Sequence, residues 1–178
     1  PHLKPIEIEF TFIAVRDGRS RKVSSGDTLK SGDRIHLKVK SNQRCFIYVI
    51  NQDASGAIYS LYPNPSQRYR ALRAGETCTI PGEGMSFELD NTTGAENIFI
   101  TASATPLEDI EELLFKDKQA VAEKEKLLSS IRTRGFASVV EGNQTVVSLE
   151  NGSQHKSISD LLSGHGSFRH EITFFHVP

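Results

Sequence analysis

The sequence has no tryptophan, one methionine and only two cysteines among 178 residues. So few cysteines exclude a disulfide-rich scaffold and a zinc site built from several thiolates. The charges almost cancel, with 21 Lys and Arg against 22 Asp and Glu and a formal net charge of −1. Nucleic-acid binders normally carry a basic excess, so we expect no nucleic-acid partner. No apolar run approaches the roughly 20 residues that cross a bilayer, so we expect no transmembrane segment in this fragment.

Motifs of common catalytic sites are also missing. There is no phosphate-binding Gly-x4-Gly-Lys loop, no Gly-x-Gly-x-x-Gly and no nucleophile elbow. Ser153 and Lys156 fit the loose pattern Ser-x-x-Lys, but they lie in a Ser-rich segment rather than at the start of a helix. His170 and His176 on one strand would be about 20 Å apart, too far to share a metal. We therefore expect no enzyme activity, no cofactor and no metal site.

Two early stretches alternate apolar and polar residues, as half-buried strands do. The apolar faces are Ile6, Ile8, Phe10 and Phe12 in the first stretch, and Ile35, Leu37 and Val39 in the second. Because the other face of each stretch is polar, the pattern indicates an antiparallel sheet with one face in water.

The next stretch, residues 45–50, is apolar at every position, which predicts a central strand covered on both faces. Residues 51–56 contain Asp and Gly, which are typical of turns, and residues 57–62 form the predicted return strand of a hairpin. Pro63 and Pro65 lack a backbone donor, so the chain leaves the sheet there.

The pattern changes at residue 105. Thr105 to Glu108 has the order of a capping box, with Pro106 at the first helical position. Apolar residues then follow at helical spacing as far as Ile131. The sequence predicts a helical insertion over about 106–134.

Residues 137–168 are rich in Ser and Gly, and residues 171–177 again alternate in their side chains as a strand does. We expect a flexible segment in the first of these stretches, with a short hairpin between residues 139–140 and 146–147 and one helical turn at 158–162. Residues 171–177 form a predicted strand that joins the sheet. The chain is predicted to be a single domain over 1–178, made of a β core of about 5–104 plus 169–178, a helical insertion of about 106–134 and a Ser/Gly-rich flexible segment of about 137–168.

The two cysteines, Cys45 and Cys78, both lie in predicted strands, which we expect to belong to one sheet. Two interpretations stay open. A disulfide between them would suit a periplasmic or secreted protein. Alternatively, both are buried thiols that pack as small apolar residues.

The surface most typical of a binding site is the loop after the predicted hairpin. Its candidate residues combine tyrosine rings, which supply flat contact area, with arginines, which supply forked hydrogen-bond donors. An ordinary loop whose tyrosines cover the sheet edge is the alternative. The candidate partner-binding residues are Tyr59, Tyr62, Asn64, Arg68, Tyr69 and Arg70.

Seven short motifs follow one another between about residues 25 and 106. They are Gly32-Asp33, the strand Cys45–Asn51, Asp53-Ala54-Ser55-Gly56, Leu61-Tyr62-Pro63-Asn64, Ala74-Gly75-Glu76, Ile80-Pro81 and Gly94-Ala95-Glu96. This order resembles the bacterial domain-of-unknown-function family 4384. Tyr62 stands where that family usually has Phe, and Phe46 where it often has Tyr.

The resemblance implies an accessory module of secreted or envelope proteins, often joined to peptidase-like or kinase-like domains, and it implies no catalytic residues. Together with the strand pattern it predicts a mainly β fold, an antiparallel β-sandwich (immunoglobulin-like or related) with one helical insertion. We expect a non-catalytic binding or regulatory module that recognises a protein or glycan partner through loops, in the periplasm or envelope or as a secreted protein. A spacer or assembly domain that positions an effector domain is the alternative, and an unrecognised hydrolase or a cytoplasmic setting is less favoured.

Overall fold

The alternating stretches of the sequence form strands of two sheets. The structure is a computed structural model, and it describes residues 6–64, 71–115, 138–139, 146–148, 154–156, 162–163 and 167–178. The elements are β1 (Ile8–Arg16), β2 (Arg19–Lys22), β3 (Thr28–Lys30), β4 (Arg34–Ser41), β5 (Phe46–Gln52), β6 (Ile58–Tyr62), β7 (Thr77–Ile80), β8 (Phe87–Glu88), β9 (Gly94–Ser103), α1 (Glu108–Leu114), β10 (Ser138–Val139), β11 (Val146–Ser148), β12 (Gln154–Lys156), β13 (Leu162–Ser163) and β14 (Ser167–Val177).

Sheet A contains β2, β1, β4 and β7 in that order, with β8 also paired to β4, and all its pairs are antiparallel. The register between β1 and β4 places Phe10 opposite Val39 and Phe12 opposite Leu37. The apolar residues of both strands therefore lie on one face, as their alternation predicts.

Sheet B has the order β3, β14, β9, β5, β6. The last strand, β14, pairs antiparallel with β9 and parallel with β3, so the end of the chain lies inside this sheet. The predicted terminal strand and the predicted β5–β6 hairpin are both confirmed. The parallel pair makes sheet B mixed rather than purely antiparallel.

The apolar faces of the two sheets meet in one buried cluster, which confirms a β-sandwich. Phe12 of sheet A and Phe174 of sheet B touch across it, with ring centroids 5.8 Å apart. Val39, Val49 and Ile100 lie in the same cluster and are fully buried. Burial of this apolar surface is the main stabilising contribution to the fold.

The outer face of sheet B is covered by the helix. Tyr48 and Phe99 form a second buried cluster with Leu107 and Ile110, so β5 is covered on both faces as predicted. The Tyr48 hydroxyl accepts a hydrogen bond from the Leu107 N–H at 2.8 Å and donates one to Glu111 Oε1 at 2.5 Å. These bonds satisfy the only polar atom of the buried Tyr48 side chain and fix the start of the helix.

The predicted capping box is wrong. The helix begins at Glu108, with Leu107 at the N-cap position and no side-chain cap, so Thr105 and Pro106 precede it. The physical reason is the Tyr48 hydroxyl, which bonds to the Leu107 N–H. The later part of the predicted insertion, residues 116–134, lies outside the described residues.

The predicted hairpin in the Ser/Gly-rich segment is also wrong. β10 pairs with β13, and β11 pairs with β12, both antiparallel. Leu162, predicted as helical, lies in β13. The partner of β10 is therefore further along the chain than the strand at residues 146–147 that the predicted hairpin would pair with it.

Candidate functional site

The predicted binding residues divide into two groups. Tyr59, Tyr62 and Asn64 lie in or just after β6, which ends sheet B on one side within the described chain. Tyr59 is 52% exposed and Asn64 is exposed, whereas Tyr62 packs partly buried against the sandwich core. The other three predicted residues, Arg68, Tyr69 and Arg70, lie outside the described residues.

Tyr59 lies beside carboxylates at the end of the sandwich. Partial burial raises the pKa of the Tyr59 hydroxyl most, and a hydrogen bond to Asp53 and the charges of Asp53, Asp90 and Glu96 raise the pKa further. The hydroxyl therefore stays protonated and donates to the Asp53 carboxylate. Asp53 is fixed in turn, because its Oδ1 accepts bonds from the Ser55 N–H and the Ala57 N–H, each at 2.9 Å. This forms a rigid Asx-type turn next to the exposed ring.

A buried polar cluster lies at the same end of sheet B, and we call it the Glu96–His176 cluster after its two most buried members, 4% and 2% exposed. Asn51 Nδ2 donates to Glu96 Oε2 at 3.0 Å, and Ser31 Oγ lies 3.0 Å from His176 Nε2. His176 Nδ1 is 3.9 Å from Glu96 Oε1, and within the part of the chain that the structure describes it has no hydrogen-bond partner.

Sequence reasoning missed this cluster, although one signal pointed to it. Glu96 is in phase with Ile98 and Ile100, so an acid occupies an apolar face of β9. Its partner His176 is 80 residues further along the chain, and no local pattern shows that the two strands are neighbours. The pairing of β9 with β14 brings them together.

The order Ser31, His176, Glu96 has the connectivity of a hydrolytic triad, but the surrounding amides do not fit acyl transfer. The Gly32 N–H donates to the Leu89 carbonyl at 2.8 Å, and the Asp33 N–H donates to the Lys30 carbonyl at 3.0 Å. The two amides that follow Ser31 are thus already bonded and do not form an oxyanion hole.

The Glu96 carboxyl gives the first prediction. Burial raises its pKa most, Asp53 and Asp90 add to this, and the Asn51 hydrogen bond and His176 oppose it. Because folding raises this pKa, the native state is most stable while Glu96 is neutral. That stability is fully present below about pH 4.3, the pKa in the unfolded chain, and is lost as the pH rises through the pKa in the folded protein.

We expect the Glu96→Gln variant, whose side chain stays neutral, not to lose stability in this way as the pH rises. Thermal unfolding of the wild type and of Glu96→Gln across that pH range measures the difference. Identical pH profiles would contradict the assignment.

The two cysteines do not lie on one sheet, so that expectation is wrong. Cys45 precedes β5 of sheet B, where its backbone bonds to Leu72, and Cys78 lies in β7 of sheet A opposite Val39. Both are thiols, and no disulfide joins them. Burial raises the pKa of the Cys45 thiol, partly offset by a hydrogen bond with Ser41, so this thiol is a poor nucleophile.

Among the residues that the structure describes, no group of three or more His, Cys, Asp or Glu side chains is placed to hold a metal ion. The same residues include no helix with the length and hydropathy of a membrane span.

Comparison with known proteins shows what the central strands resemble. Residues 28–106 match the family model "Domain of unknown function (DUF4384)". The resemblance predicted from the order of motifs is confirmed. No curated protein and no solved structure matches the chain. The DUF4384 description assigns no reaction, so it supplies no catalytic residue for this chain.

The DUF4384 match covers β3 to β9 and ends just before α1. It leaves out β14, although β14 lies between β3 and β9 in sheet B. The matched segment therefore holds Tyr59 and the Glu96 side of the buried cluster, whereas His176 comes from outside it.

Proposed function

We propose that this chain is a non-catalytic binding or regulatory module of a bacterial envelope or secreted protein, which recognises a protein or glycan partner through its loops. The observation that carries the proposal is the Tyr59 ring, 52% exposed on the outermost strand of sheet B in the described chain. The accessory role and the envelope setting rest on what the resemblance to DUF4384 implies, since the family's description assigns neither.

The surroundings of Tyr59 suit recognition of polar ligands. An exposed ring offers a flat apolar face, and the hydrogen bond from its hydroxyl to Asp53 holds the ring in place. The nearby carboxylate of Asp53 offers acceptor oxygens on a turn fixed by bonds to Ser55 and Ala57. A pre-organised aromatic and acceptor pair loses little conformational entropy on binding, whether the ligand is a sugar ring or a peptide.

The side chains and amides that could serve a hydrolytic reaction, Ser31 with the amides after it and Cys45, are not arranged for catalysis. The amides after Ser31 are bonded to other carbonyls, and the Cys45 thiol is buried with a raised pKa. Neither arrangement activates a nucleophile against a substrate.

Substitution of Tyr59 tests the proposal. We expect Tyr59→Ala to weaken retention on the partner by about tenfold or more, because aromatic anchors carry much of the binding energy at such surfaces. Retention would be measured on immobilised envelope glycans and on envelope protein extracts, with mass spectrometry of what is bound. A triple alanine variant of Arg68, Tyr69 and Arg70 tests the rest of the predicted loop in the same assay.

Phe175→Ala is the matched control. Phe175 is 49% exposed and lies in β14, three strands away from Tyr59 in sheet B. It removes a similar exposed ring from the same sheet, and we expect retention to stay unchanged. Equal retention by the wild type, Tyr59→Ala and Phe175→Ala would contradict the role of Tyr59.

A further inference from the structure

A cleft of about 650 Å³ opens on the opposite side of the sandwich from Tyr59. It lies between the β1–β2 hairpin of sheet A and β3 of sheet B, where both sheets end in the described chain. Its charged lining residues are four cations and two acids: Arg16, Arg19, Arg21, Lys30, Asp17 and Asp33. Two of the cations, Arg16 and Arg21, are paired with acids, so Arg19 and Lys30 are the cations of the cleft that have no ion-pair partner in the described ranges.

Two of these arginines are already used by the fold. Arg16 is paired with the buried Asp33 and donates to the Ser31 carbonyl at 3.0 Å. Arg21 of β2 reaches Asp27 at 3.2 Å and the Thr28 carbonyl at 2.6 Å. Both side chains tie sheet A to the β3 region of sheet B, so they hold the two walls of the cleft together.

The other two cations, Arg19 and Lys30, are exposed, and neither forms an ion pair with any residue in the described ranges. Arg19 stands directly opposite Arg16 in the β1–β2 register. The Arg16 charge is compensated by Asp33, whereas the exposed Arg19 has no ion-pair partner in the described ranges. The tight turn fixes the position of Arg19, because Asp17 and Gly18 both have positive φ, as a two-residue hairpin turn of this kind requires. An anion bound at Arg19 would supply the missing partner.

We propose that this cleft binds a carboxylate-rich peptide segment, whose Asp or Glu side chains pair with Arg19 and Lys30. Guanidinium groups bind carboxylates with two parallel hydrogen bonds, so Arg19 gives the site a directional contact. Because β2 ends sheet A on this side of the described chain, an extended peptide has a strand edge to lie along. The exposed Asp17 would repel a polymer with a charge on every unit, which favours a peptide with spaced carboxylates over a sulfated glycan.

This site is separate from the surface around Tyr59. Arg16, Arg19 and Arg21 precede the DUF4384 segment, whereas Tyr59 lies within it. The two proposals can therefore fail independently, and Tyr59→Ala is expected to leave peptide binding unchanged.

The test is fluorescence anisotropy of a short labelled peptide of alternating Glu and Ser, titrated with the full chain at low ionic strength. We expect the double variant Arg19→Glu with Lys30→Glu to bind about tenfold or more weakly, because both pairing cations are reversed. The control is Lys38→Glu with Lys40→Glu on the exposed face of β4, which changes the net charge by the same amount. We expect this control to bind like the wild type. Thermal unfolding would show that each variant is folded.

The proposal is overturned if the wild type does not bind the peptide, or if the wild type and both double variants bind it equally. It is also overturned if both double variants bind equally weakly, because attraction would then depend on net charge alone. A heparin oligosaccharide is titrated in parallel. Tighter binding of heparin than of the peptide, lost in the Arg19 and Lys30 variant, would also overturn it and assign the cleft to sulfated glycans.

Discussion

Phe174→Ala is expected to lower the free energy of unfolding by about 3–5 kcal/mol, because it leaves a cavity between the two sheets. Phe174 is fully buried and its ring touches Phe12 of the opposite sheet, with centroids 5.8 Å apart. Since domains of this size are stable by about 5–15 kcal/mol, such a loss is a large fraction of the total. Urea denaturation followed by circular dichroism measures it.

The neighbouring Phe175→Ala is the control, because Phe175 points to the other face of β14 and is 49% exposed. Substitutions at exposed positions usually change stability by about 0.5 kcal/mol or less. If the two alanine variants were equally stable, the assignment of Phe174 to the core between the sheets would be wrong.

Asp33→Ala has the second largest expected effect, a loss of roughly 2–3 kcal/mol. Asp33 is buried, pairs with Arg16 and accepts the Lys30 N–H at 2.9 Å, so the variant leaves both donors without their acceptor. The Arg16 side chain is 44% exposed, and water replaces part of the lost interaction, which keeps the expected loss below that of a fully buried pair. Chemical denaturation at neutral pH measures this loss.

The pH dependence of that difference follows from the Asp33 carboxyl. Burial alone would raise its pKa, but the Lys30 N–H and the Arg16 guanidinium outweigh burial, and the pKa is lowered. A lowered pKa stabilises the native state above about pH 3.9, the unfolded value, and this stability is lost as pH falls through the folded pKa. The wild type and Asp33→Ala should therefore converge in acid. A stability difference that stays constant down to acid pH would contradict this role of the Asp33 carboxylate.

The strand pattern predicted much of the fold, because side-chain alternation depends only on local geometry. The in-phase apolar residues of β1 and β4 face the core, and the continuous apolar run of β5 is covered on both sides, by sheet A and by α1. The start of α1 was not predictable in the same way. The N–H of its N-cap residue, Leu107, donates to the hydroxyl of Tyr48, 59 positions earlier, and no local capping pattern shows such a partner.

The candidate sites were less predictable for the same reason. The sequence makes Tyr59 a candidate because aromatic residues near a turn are visible in it. The Glu96–His176 cluster and the cleft depend on which strands are neighbours: β9 beside β14 in the first case, and β2 near β3 in the second. Arg19 and Lys30 resemble ordinary solvent-exposed cations until the sheet order brings them to one cleft.

Photo-crosslinking tests whether the surface around Tyr59 binds a partner. A benzophenone side chain would replace Tyr59 in one protein and Phe175 in another, and each would be irradiated in envelope extract. We expect a discrete crosslinked product from position 59 that is absent from position 175, with its mass identifying a protein or a glycan. No product from position 59, or the same products from both positions, would contradict it.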